Sequence, residues 1–198
     1  MRTIFRPLVL AVCYIAGCCV IASAAAAQQP VKATPRFEAA ATYDLSGANL
    51  TTGSGFWMQG GSASLAGGIT HHFSAVAELS GLHSGSIIGV QVPLSLVTIA
   101  FGPRYRWSAG PKAHDLSIFG QALVGETHGF DSVFPAAGGA NASASSVAFE
   151  LGGGIDLGLG HHAALRLVQA NWLRTSLPNA TTNVQNNLLL DAGVVLRF

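Results

Sequence analysis

Two histidine pairs, His71-His72 and His161-His162, each sit in a short polar break between apolar stretches. Four imidazoles are enough to ligate Zn²⁺ or Cu²⁺. However, no carboxylate or thiolate joins them at ligand spacing, and neighbouring turn residues point apart, so they read as polar turn residues and no metal or other cofactor is expected. A second set, His83-Ser84, Glu126, His128, Asp131 and Ser132, supplies the residue types of a hydrolase triad. Nucleophilic catalysis needs its base fixed by a third group within hydrogen-bond reach. No nucleophile motif surrounds either serine, so no catalytic residue is expected. The third set is larger: Glu38, Asp44, Glu78, Glu150, Asp156 and Asp191 together with Arg104, Arg106, Arg166, Arg174 and Arg197. Six acids and five arginines nearly cancel, which suits mutual pairing better than attraction of a charged ligand.

What positions these groups follows from hydropathy. The 198 residues are 49% hydrophobic and only 10% charged, with 24 glycines and a mean hydropathy of +0.43. Soluble domains carry about a quarter charged residues. A formal charge of +1 gives no field able to attract nucleic acid, and that class is excluded. At the N-terminus, Arg2 and Arg6 precede an apolar core from Pro7 to Ala22 and a small-residue stretch ending at Ala27. This is the pattern of a signal peptide over residues 1–27, followed by a polar leader over 28–36. Cys13, Cys18 and Cys19 all fall in the removed segment, so the mature chain holds no thiol. The stretch Ile15-Ala16-Gly17-Cys18 also fits a lipobox, but cleavage there would leave an apolar new N-terminus.

Beyond the leader, no apolar run reaches the ~20 residues of a spanning helix. Apolar residues instead alternate with small or polar ones, the period of a strand with two different faces. Between Leu96 and Trp107, one face reads Val97, Ile99, Phe101, Pro103, Tyr105, Trp107 and the other Leu96, Thr98, Ala100, Gly102, Arg104, Arg106. Eight strands follow by this reading: 37–44, 56–70, 73–83, 95–107, 116–128, 147–159, 163–177 and 187–198. Their connections alternate short and long, as in an outer-membrane barrel, and an even count returns both termini to the short-turn side, the periplasm. With the apolar face outward, all eleven charged residues of the third set point inward, and Glu126 alone is misplaced, near a loop. A soluble sandwich or lipocalin-like barrel would reverse the faces and carry a lysine-rich surface, whereas the mature chain has only Lys32 and Lys112. Phe37, Tyr43, Trp57, Phe73, Tyr105, Trp107 and Phe198 fall near strand ends on the outward face, as interfacial girdles do. The stretch 135–146 is low in complexity and reads as a mobile loop.

The last strand carries Leu188, Leu190, Ala192, Val194, Leu196 and terminal Phe198 at every second place. Val194, Leu196 and Phe198 resemble the C-terminal signal of bacterial outer-membrane barrels. Residues 37–198 resemble small barrels of the OmpA-like or OmpX-like type, without a peptidoglycan-binding domain. The resemblance implies an all-β, eight-stranded antiparallel up-and-down transmembrane barrel in the outer membrane, touching lipid and the barrel-assembly machinery. It implies no reaction. The expected function is a non-enzymatic role in envelope integrity or surface interaction through the outer loops, with no surface ligand specified. A small passive channel is the alternative, and a lipid or peptide hydrolase a more distant one.

Overall fold

The computed structural model describes residues 37–48, 55–86, 92–108, 116–179 and 182–198. The expected signal peptide and leader lie outside these residues. Among the described residues there are ten strands: β1 (Phe37–Ala48), β2 (Phe56–Gly68), β3 (Phe73–Ser84), β4 (Leu94–Ser108), β5 (Leu116–Phe130), β6 (Phe134–Ala136), β7 (Gly139–Asn141), β8 (Ala144–Gly158), β9 (Ala163–Thr175) and β10 (Gln185–Arg197). Eight of them close an antiparallel barrel in the order β1-β10-β9-β8-β5-β4-β3-β2. The last strand thus zips onto the first, with Glu38 opposite Arg197 and Asp44 opposite Asp191. Closure leaves no unpaired edge, which is what lets strands span lipid.

The fold arises from the two-residue period. Along β5, Ser117, Phe119, Gln121 and Leu123 are buried while Leu116, Ile118 and Val124 are exposed. Exposed Ile99, Phe101, Phe149 and Leu151 form an apolar outer wall, while Asp44, Glu78, Arg104, Glu150, Asp156, Arg166 and Asp191 are buried inside. That inversion of a soluble protein is the arrangement a bilayer selects. All seven expected girdle aromatics, from Phe37 to Phe198, are exposed on this wall.

Two features depart from the expected strands. The first is a bulge in β9. Asp156 pairs with Arg166 but Ile155 with Val168, so Leu167 is an extra residue. The shift recurs on the other side, where Gly193 faces Arg166 and Asp191 faces Gln169. Leu167 and Val168 both point outward, and the facing of every later residue inverts. Gln169, Asn171, Leu173 and Thr175 therefore point inward, and Arg174 points outward, contrary to its expected inward place. The second is the β6–β7 hairpin, most of which falls in the stretch 135–146 expected to be a mobile, low-complexity loop. It leaves β5 through Asp131, whose φ of 59° lies in the left-handed region, and turns at Gly139 (φ 140°), a conformation suited to glycine.

Candidate functional site

The barrel interior has two chemically different halves. Toward the end carrying the termini and the two short turns, an ionic cluster spans the lumen. Glu38 from β1 accepts from Arg106 of β4 at 2.7 Å and from Arg197 of β10 at 3.1 Å. Asp156 of β8, fully buried, accepts from Arg166 of β9 and Arg106 at 2.9 Å each, with Arg197 at 3.9 Å. Arg166 also donates to Gln169 at 2.7 Å. At the centre lies Phe119: the guanidiniums of Arg166, Arg104 and Arg106 stand 4.5, 4.6 and 5.6 Å from its ring centroid. Aromatic faces attract such cations, more so when both are desolvated. Gly154 makes room for this ring, since a Cβ there would come within 2.8 Å of it.

Above this cluster sits a belt of buried side chains. Arg104 donates twice to Gln121 Oε1, at 3.0 and 2.6 Å. The Gln121 amide in turn donates to Glu150 at 3.2 Å and Glu78 at 3.5 Å. Thr42 and Ser62 donate to Asp44, at 2.7 and 3.3 Å, and Asn171 donates to Asp191 at 3.3 Å. Ten of the eleven charged residues singled out in the sequence therefore face the lumen, and Arg174 does not. Sequence reading missed Phe119, Gln121 and Asn171, whose inward parity was the available signal for the first two. Asn171 lies beyond the bulge, where parity misled.

Toward the loop end an apolar cluster lies among buried polar side chains such as Ser46, Thr127, Thr175 and Gln185. Phe56, Met58, Leu82, Leu94, Leu96, Leu173, Leu177 and Leu189 form one cluster, capped by Phe134 from the hairpin. Phe134 is only 5% exposed. Gly129 provides its seat, for a Cβ there would meet the ring at 2.6 Å. Replacing Phe134 by alanine removes the side chain that holds the hairpin down. Cleavage within 135–142 by elastase, which cuts after small residues, is expected to accelerate on the order of tenfold or more in the reconstituted barrel, as the local opening free energy falls.

The other candidate residues do not converge into a reactive site. His72 Nδ1 lies 3.1 Å from the Arg106 carbonyl oxygen and His162 Nδ1 3.2 Å from that of Arg197. Their carbonyls accept from the same two residues' amides at 2.8 and 2.9 Å. Each histidine thus locks a turn to the neighbouring strand. The two turns sit half-way round the barrel from each other, and no three His, Cys, Asp or Glu among the described residues are grouped to hold a metal. At the opposite rim, Ser95 donates to Asp131 at 3.0 Å and contacts His83 Nδ1 at 3.0 Å. The serine therefore lies between imidazole and carboxylate, not at the end of a relay. Ser84 is buried on the other face from His83 and donates to the Ser86 carbonyl, while His128 contacts Ser145. Glu126 pairs across the wall with Ile99 and Val147.

A closed eight-stranded barrel with an oily exterior and an ion-paired interior has the fold of the small outer-membrane barrels. Among solved structures it is similar to Neisserial surface protein A, at 14% identity over 82% of this chain and 97% of that one, with a TM-score of 0.65. It is likewise similar to Ail, the attachment invasion locus protein of Yersinia pestis, solved in complex with the heparin analogue sucrose octasulfate, at 14% identity over 84% of this chain and all of that one, with a TM-score of 0.56. No family model matches the sequence, and no curated protein sequence does.

Proposed function

We propose that this chain is a non-enzymatic, non-conducting outer-membrane barrel that contributes to envelope integrity and presents its long loops at the cell surface, with both termini in the periplasm. The observation that carries this reading is the filled lumen. Phe119 and its three arginines occupy one half of the barrel, and the apolar cluster under Phe134 occupies the other. An eight-stranded barrel is just wide enough for side chains to fill it. The outward positions of Val194, Leu196 and Phe198 support their reading as a signal for the assembly machinery. The N-terminal 27 residues serve export, and 28–36 form a short leader.

Planar-bilayer recording tests the non-conducting reading against the channel alternative. The purified barrel is expected to give no unitary current steps above the lipid-only background. Reproducible steps scaling with protein added would replace this reading with a passive channel. Labelling of Ser143→Cys in intact cells by a membrane-impermeant thiol reagent tests the orientation, and protection of that site would reverse it.

A further inference from the structure

The bulge at Leu167 leaves one cation on the wrong side of the wall. Among the described arginines, Arg104, Arg106, Arg166 and Arg197 face the lumen, and Arg174 alone faces outward. No acid in the described residues pairs with it: Glu38 and Asp156 take every ion pair, all of them inside the barrel. Half-buried Glu126 sits on β5 with β8 intervening and forms no ion pair with Arg174. Around Arg174 the register assembles a defined surface. Asn186 on β10 lies directly opposite it, and Phe149 on β8 opposite on the other side. Trp172, two residues back on the same face, is flanked by Leu188 and Leu151, all three exposed.

Depth decides what meets this guanidinium. Arg174 lies eleven residues along β9 from Ala163 at the turn end. The bulge takes up one of these residues, so ten rises of ~3.3 Å at a tilt of about 40° give roughly 25 Å along the membrane normal, the edge of an apolar band about 25 Å tall. A cation is costly at mid-bilayer and nearly free at this edge. It therefore stands at headgroup level, with an amide beside it and an apolar and aromatic surface running down from it toward the bilayer core. Phosphate oxygens match the guanidinium and amide donors, and acyl chains match Trp172, Phe149, Leu151 and Leu188.

We propose that Arg174, Asn186 and Trp172 form a binding site on the outer wall for a lipid bearing an anionic phosphate headgroup, in the leaflet at the loop end. This rests on the membrane-barrel reading of the chain, but not on which end faces the cell exterior. The test uses the barrel carrying Trp57→Phe and Trp107→Phe, so that Trp172 is the one tryptophan left, reconstituted into symmetric phosphatidylcholine bilayers. Quenching of Trp172 by brominated phosphatidic acid is compared with quenching by brominated phosphatidylcholine. The phosphatidic acid is expected to be preferred roughly fivefold, the scale of one arginine meeting an anionic lipid. Arg174→Gln should bring the preference to about one, and Arg174→Lys should keep most of it. Heat-dependent migration in electrophoresis of each sample verifies that the barrel is folded. No preference in the starting protein, or an unchanged preference in Arg174→Gln, overturns the site. Because these bilayers are symmetric, neither result bears on cellular location. Conversely, finding the protein outside the outer membrane would leave the measured preference standing.

Discussion

Replacing Asp156 by alanine is expected to lower the unfolding free energy by about 3–5 kcal/mol, the cost of removing one partner from a buried ion cluster. Asp156 is fully buried and meets three arginines, and Arg166 has no other acid within ion-pair distance among the described residues. Without Asp156, the Arg166 guanidinium keeps only Gln169 and the Phe119 ring. Arg106 loses less, because it retains Glu38. Equilibrium urea unfolding followed by tryptophan fluorescence measures the change as a shifted midpoint at constant slope. The double change Asp156→Leu with Arg166→Met is expected to recover most of the loss, since an apolar pair leaves no charge buried alone. An Asp156→Ala barrel as stable as the parent would show that the cluster is solvated and adds nothing to the fold.

The second large effect is expected at Phe119. Phe119→Ala should cost about 3–5 kcal/mol, as for other buried phenylalanines, from lost burial and the cavity left behind. The ring also supplies the face on which Arg104 and Arg166 rest at 4.6 and 4.5 Å. Phe119→Leu separates the two contributions. It keeps an apolar side chain in the space but offers no π face, and is expected to cost about 1–2 kcal/mol. Equal losses for alanine and leucine would mean that the aromatic face, not the filled volume, dominates. A negligible loss for leucine would mean the reverse. The same unfolding measurement reads both.

The eight long strands and their outward face were legible in the sequence because alternation is local. Each of Val97, Ile99, Phe101 and Tyr105 announces its side by its distance from the next, and the wall repeats that pattern around the barrel. The lumen side of Arg104, Glu150 and Asp191 follows from the same count. Which charges meet was not legible. Glu38 and Arg106 are separated by 68 residues and lie on strands that are not neighbours. Only closure of the barrel makes them partners. The β6–β7 hairpin was hidden for a different reason. Its alanines and glycines carry no period, and the residue that fixes it, Phe134, acts by reaching an apolar cluster built from other strands.

Composition and period two alone determined that this chain is an inside-out barrel, since oily and ionic residues can be sorted to opposite faces only one way in lipid. The tertiary structure decided where that count restarts. A bulge is set by the register a strand must keep with both neighbours, here Asp156 on one side and Gly193 on the other, so nothing local to Leu167 reveals it. One extra residue there turns Arg174 from a lumen charge into a group at the lipid surface.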